Sequence, residues 1–102
     1  MLVIGRHVLD AAGRRNVPLR RRLAAWVAVV ESATWQSLND VRSTYPSADG
    51  VKLSQTVVVT VFNVKGNEYR LLTMIDYDLQ TVLALEVLTH AEYDKNMWKR
   101  RY

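Results

Sequence analysis

The chain has no cysteine, which excludes a disulfide framework, a thiolate metal site and a cysteine nucleophile, and permits a reducing, cytoplasmic setting. Histidine is nearly as scarce. His7 and His90 lie far apart, with no His-x-x-x-His spacing and no carboxylate cluster at ligand spacing, so no metal is expected. No apolar run approaches the length of a membrane span, and the first residues lack the apolar core of a secretory signal, so no membrane partner is expected either. There is no Gly-x-Ser-x-Gly elbow and no glycine-rich phosphate loop, since Gly66 stands alone between Lys65 and Asn67. Acid is missing where base is plentiful. Residues 1–30 hold Arg6, Arg14, Arg15, Arg20, Arg21 and Arg22 against Asp10 alone, and residues 94–102 hold Lys95, Lys99, Arg100 and Arg101 against Asp94. With a net charge of +4, such clustering is the footprint of a nucleic acid or an acidic protein partner, or else of a solvated helix face.

What remains is ordinary globular material. The 102 residues are 49% hydrophobic and 24% charged, enough for one domain, residues 1–102, with a small core. The densest apolar stretch, Val57 to Lys95, predicts three antiparallel strands and a capped helix, and everything before it reads as cover for that sheet. Met1–Ile4 predicts an edge strand. Arg6–Arg14 predicts a helix closed near Gly13. Asn16-Val17-Pro18 opens a second helix running to about Ser32, whose Leu19, Leu23, Trp26, Val27 and Val30 make one apolar face that leaves Arg20, Arg21 and Arg22 in water. The connector Thr34–Asp49 holds a short helix with a Ser37/Asp40 capping pattern, and Ser47–Gly50 predicts a turn.

Strands are expected at Val57–Phe62, Glu68–Ile75 and Thr81–Leu88. The first two join by a hairpin loop in which Gly66 takes positive φ. Pairing the second hairpin about Asp78 sets Arg70 opposite Glu86 on one face, with Thr60 beside them. Thr89 and Glu92 have the spacing of a capping box, and Leu88 with Tyr93 that of a hydrophobic staple, opening a helix to about Trp98.

These residues supply one plausible chemistry: metal-free acid–base cleavage of a phosphodiester. It needs a base, a cation for the charge growing on phosphate, and an acid for the leaving oxygen. Arg70 offers a planar fork that suits phosphate, or a structural ion pair with Glu86. His90, in the first turn of its helix, is a candidate base or a plain surface histidine. Tyr93 is a staple whose hydroxyl could reach the site. Lys95 is a second cation or a solvated one, and Asn63 and Asn67 suit a hairpin.

Phe62-Asn63-Val64-Lys65-Gly66-Asn67-Glu68-Tyr69-Arg70-Leu71 and Thr89-His90-Ala91-Glu92-Tyr93-Asp94-Lys95, together with Trp35, Asp40-Val41 and Tyr45-Pro46-Ser47-Ala48-Asp49, resemble the HigB family of toxins from type II toxin–antitoxin modules. The resemblance runs from the first strand to Lys95. It implies an α+β, RelE-like fold, with N-terminal helices on one side of a small antiparallel sheet and a short C-terminal helix. It implies a cytoplasmic bacterial endoribonuclease that needs no cofactor, cuts mRNA engaged by the ribosome, and is silenced by a HigA-type helix-turn-helix antitoxin through which alone it meets operator DNA. Carried over by position, the catalytic set is Arg70, His90, Tyr93 and Lys95. Asn63, Lys65, Asn67, Lys99 and Arg100 are expected to bind RNA. The rival expectation is a basic module that binds RNA or an acidic protein without cutting.

Overall fold

The computed structural model describes residues 1–102. Strand β1 (Leu2–Ile4) leads into helices α1 (Arg6–Gly13), α2 (Val17–Ser32) and α3 (Leu38–Thr44). Strands β2 (Asp49–Lys52), β3 (Val58–Val64), β4 (Tyr69–Asp76) and β5 (Thr81–Thr89) follow, then α4 (His90–Asp94) and a 3₁₀ turn, Met97–Arg101. The five strands form one sheet in the order β1-β5-β4-β3-β2. The architecture is α+β as expected, with two differences. The sheet is mixed, because β1 runs parallel to β5. The stretch expected as a turn at Ser47–Gly50 instead enters β2, whose Asp49 pairs with Val61 and Gly50 with Thr60. The β3 edge is nearly continuous apolar chain, and a neighbour that satisfies its peptide groups outweighs the weak strand preference of Asp49 and Gly50.

The two faces of the sheet are covered differently. On one, α1, α2 and α3 bury Leu9, Leu19, Leu23, Trp26, Val30 and Val41 against Phe62, Val64, Leu71, Val82 and Ala84. Phe62, the chain's one phenylalanine, sits among Trp26, Trp35 and Tyr45, with ring centroids 5.4–6.3 Å away. On the other, Trp98 of the 3₁₀ turn closes over Val59, Val61, Leu72 and Leu88. Arg70 shares this second face with its cross-strand partners Asn63 and Leu88.

Helix α2 begins where Asn16 accepts a hydrogen bond from the Leu19 N–H at 3.0 Å, with proline in the first turn. The Asn16 amide also donates to the Tyr69 hydroxyl at 3.1 Å, tying the helix start to β4. Asn16→Ala is expected to cost about 1 kcal/mol for the cap alone, or roughly 4–8 °C of melting temperature in a domain of this size. Asn16→Asp, which keeps the acceptor and loses only the amide donor, should recover part of it. A thermal melt of the alanine variant that overlays wild type would show the cap to be idle.

Candidate active site

Arg70 lies near the start of β4, 8% exposed. Its Nη1 donates to the carbonyls of Asn67 and Tyr69, both at 3.1 Å, and its Nη2 donates to Asn67 Oδ1 at 3.2 Å and meets His90 Nδ1 at 2.8 Å. No carboxylate lies within salt-bridge distance. The expected opposition of Arg70 to Glu86 is therefore wrong. Arg70 faces Leu88, and Glu86 faces Leu72, because the hairpin pairs about the Asp78–Leu79 bond rather than about Asp78 and a bulge between Leu72 and Thr73 shifts the ladder one residue further. Glu86 instead binds the guanidinium of Arg101 and the Tyr102 hydroxyl, pinning the C-terminal tail to β5. Thr60 is misplaced by a similar slip: it pairs with Thr73 on the helix-covered face, and Asn63 takes the place beside Arg70.

Two local devices bring His90 to Arg70. Thr89 and Glu92 form the capping box, at 3.1 and 2.9 Å. The His90 N–H, left free at the helix start, donates to Glu68 O at 2.9 Å and fastens α4 to the β3–β4 hairpin. Guanidinium can only donate, so Nδ1 of His90 accepts, and its proton sits on Nε2, which points at Asp94 Oδ2 3.0 Å away. Asp94 thus orients a neutral imidazole, a role that the sequence reading did not assign. The i,i+4 spacing of His90 and Asp94 on one helix was the signal for it.

Tyr93 lies under the guanidinium, with Arg70 Cζ 5.8 Å from its ring centroid, and stacks on Trp98 at 5.4 Å. Burial pushes its hydroxyl above the ordinary phenol range, with Asp49 and Asp94 adding to the effect and Arg70 opposing it. At neutral pH the Tyr93 hydroxyl therefore keeps its proton and is not a base. Asp49, the first residue of β2, acts on this site through its charge.

Asn67 holds Arg70 from the hairpin turn, where Lys65 and Gly66 both have positive φ. Lys65 is itself paired with Glu68 at 3.0 Å. The remaining candidates are not gathered here. Lys95 ends α4, exposed and without an ion pair. Lys99 lies over the Trp98 ring at 5.8 Å, and Arg100 is exposed on the 3₁₀ turn. No group of three or more His, Asp or Glu side chains has metal-binding geometry, and no helix is long and apolar enough to cross a membrane.

Burial and the hydrogen bond to Glu86 raise Tyr102 from the ordinary 10.0 to about 12. A phenol that stays neutral longer in the folded chain contributes stability in full below pH 10 and loses it as pH climbs toward 12. Alkaline titration followed by tyrosinate absorbance should show the tail loosening across that window, and Tyr102→Phe should remove that component. A variant that titrates like wild type would contradict the assignment.

A mixed sheet with helices on one face and an arginine, a histidine and a tyrosine gathered on the other defines a class: the RelE-like toxic components of toxin–antitoxin systems, whose HigB_toxin family model matches residues 19–96. The chain belongs to this HigB toxin family. It is 29% identical over 94 residues to the mRNA interferase toxin HigB of Escherichia coli (strain K12), covering 92% of this chain and 88% of that protein. The same figures hold for the mRNA interferase HigB of Escherichia coli O157:H7 and of Shigella flexneri.

Proposed function

We propose that this toxin is an mRNA endoribonuclease acting on transcripts engaged by the ribosome, and that Arg70, His90 and Tyr93 perform the cut without metal. The observation that carries this is the state of Arg70. A guanidinium in a nearly closed site, bonded to three oxygens and one imidazole nitrogen but to no carboxylate, keeps its full positive charge for an incoming anion. A buried charge left uncompensated costs stability, so its retention speaks for a use.

The chemistry follows from the contacts. A phosphate arriving at Arg70 competes with His90 for the guanidinium and frees Nδ1. That nitrogen takes the proton from the ribose 2′-hydroxyl, Asp94 steadies the imidazolium that forms, and the 2′-oxygen bonds to phosphorus. The P–O5′ bond breaks, and the leaving oxygen takes a proton from a donor such as Tyr93. The products are a 2′,3′-cyclic phosphate and a 5′-hydroxyl end. Lys95 is assigned to phosphate charge, and Asn63, Lys65, Asn67, Lys99 and Arg100 to RNA contacts. A HigA-type helix-turn-helix antitoxin, acidic where it meets the toxin, is the natural inhibitor, and only through it would the toxin contact operator DNA.

Induction in bacteria with mapping of new mRNA 5′ ends tests this. Cuts inside reading frames bearing 5′-hydroxyls, suppressed by the co-expressed antitoxin, are expected. Ends bearing 5′-phosphate would mean attack by water and overturn the 2′-hydroxyl route. Growth arrest without new ends would make the toxin a binder rather than a nuclease.

A further inference from the structure

Strand β2 begins at Asp49 opposite Val61, so Phe62 to Val64 of β3 have no strand on that flank. Along this open edge runs a groove of about 590 Å³, a size that ligand sites commonly have. Arg22 and Trp26 of α2, Tyr45 after α3, and Asn63, Lys65 and Asn67 of the hairpin line it, and no acid does. The arginine run on α2 is therefore divided: Arg20 lies beside Arg6 and Asp10 of α1, while Arg22 faces the groove.

Arg22 is exposed and enters no ion pair. Trp26, in the groove wall, is only 2% exposed, yet its indole N–H finds no acceptor within the chain. An orphaned buried donor is uncommon and asks for an explanation. Asn67 belongs to both places: it lines the groove and holds Arg70 through two hydrogen bonds. The groove thus borders the active site through Asn67.

We propose that this groove carries the RNA strand flanking the scissile phosphate, with Arg22 gripping the neighbouring phosphate and the Tyr45–Trp26 wall receiving the adjoining nucleotide. The assignment rests on the ribonuclease reading above and extends it to a residue on the opposite layer of the fold. An acidic protein segment is the rival occupant. The shared Asn67 and the absence of acid in the lining favour RNA, whose phosphates repeat along the strand while Arg70 can take only one.

A 2′-O-methyl RNA oligonucleotide, immune to 2′-hydroxyl attack, titrated into the full chain over a range of salt concentrations, is the test. Arg22→Ala should weaken binding several-fold and lower the slope of log affinity against log salt by about one. Arg21→Ala, exposed on the same helix but outside the groove, should leave both near wild type. Equal losses in the two variants would reduce the effect to diffuse charge and overturn the groove. Unchanged RNA binding with weakened capture by the antitoxin would give the groove to a protein and overturn it too. If both variants bind and cut RNA like wild type, the groove assignment alone falls. If the wild type neither binds the oligonucleotide nor cuts transcripts in cells, the nuclease reading falls and takes the groove with it.

Discussion

Arg70→Ala is expected to abolish growth arrest while leaving the chain folded and able to be captured by its antitoxin. Removing one preorganised donor from a developing oxyanion costs about 3 kcal/mol, or 10²–10³ in rate. The stability cost should be far smaller. Four hydrogen bonds disappear, but so does the desolvation cost of a cation without a counter-charge, and the two carbonyls it served lie beside the hairpin turn within reach of water. Arg70→Lys separates charge from geometry, since lysine keeps the charge but not the fork that reaches Asn67 and His90 together. It should retain a small fraction of activity, above alanine and well below wild type. The measurement is the mapping of transcript ends beside a thermal melt of each purified variant. An alanine variant that melts near wild type and still cuts would remove Arg70 from the reaction.

The parts of this molecule that were legible in the sequence are those set by local chemistry. Asn16, Pro18 and the spacing Leu19, Leu23, Trp26, Val30 fix α2 without reference to anything distant. Thr89 and Glu92 write the capping box into four consecutive residues. Gly66 marks a turn that needs positive φ. What escaped depended on long-range pairing. The partner of Arg70 escapes because the β4–β5 turn centres between Asp78 and Leu79 and a bulge then moves the ladder by one more residue, and hairpin spacing announces neither. Strand β2 was read as a turn because Asp49 and Gly50 are poor strand formers taken alone, and only the β3 edge makes them a strand. Arg70, His90 and Tyr93 were found from their motifs and do lie together. Lys95 was included by the same resemblance, yet it sits exposed at the end of α4 without a polar partner. Asp94 was missed because an acid directly before a lysine looks like surface charge until the imidazole is seen to turn toward it.

Trp98→Ala should be a strongly destabilising truncation, and it should damage the site as well. Trp98 is 1% exposed and closes the sheet face opposite the helices, over Val59, Val61, Leu72 and Leu88. Its ring stacks on Tyr93 at 5.4 Å, and its Nε1 donates to the Tyr93 carbonyl at 3.2 Å. Truncating a buried tryptophan costs about 3–5 kcal/mol, against a total of roughly 5–15 kcal/mol for a typical domain. A loss on the order of 15–30 °C in melting temperature should follow. Trp98→Phe keeps most of the ring volume and loses only the N–H, so it should melt close to wild type and preserve cleavage. The same face offers a second route for the damage. If the tail lifts away while α1, α2 and the other core hold, the melt will move little, but Tyr93 will lose its backing and sample positions away from Arg70. Hydrogen exchange distinguishes the two: early exchange confined to α4 and the tail indicates local release, and exchange across β3 and β4 indicates global loss. Activity falls either way, because the tryptophan that covers the second core is also the one that holds Tyr93 beneath the guanidinium. A Trp98→Ala chain with wild-type melting, exchange and cleavage would show that the tail neither seals the sheet nor serves the site.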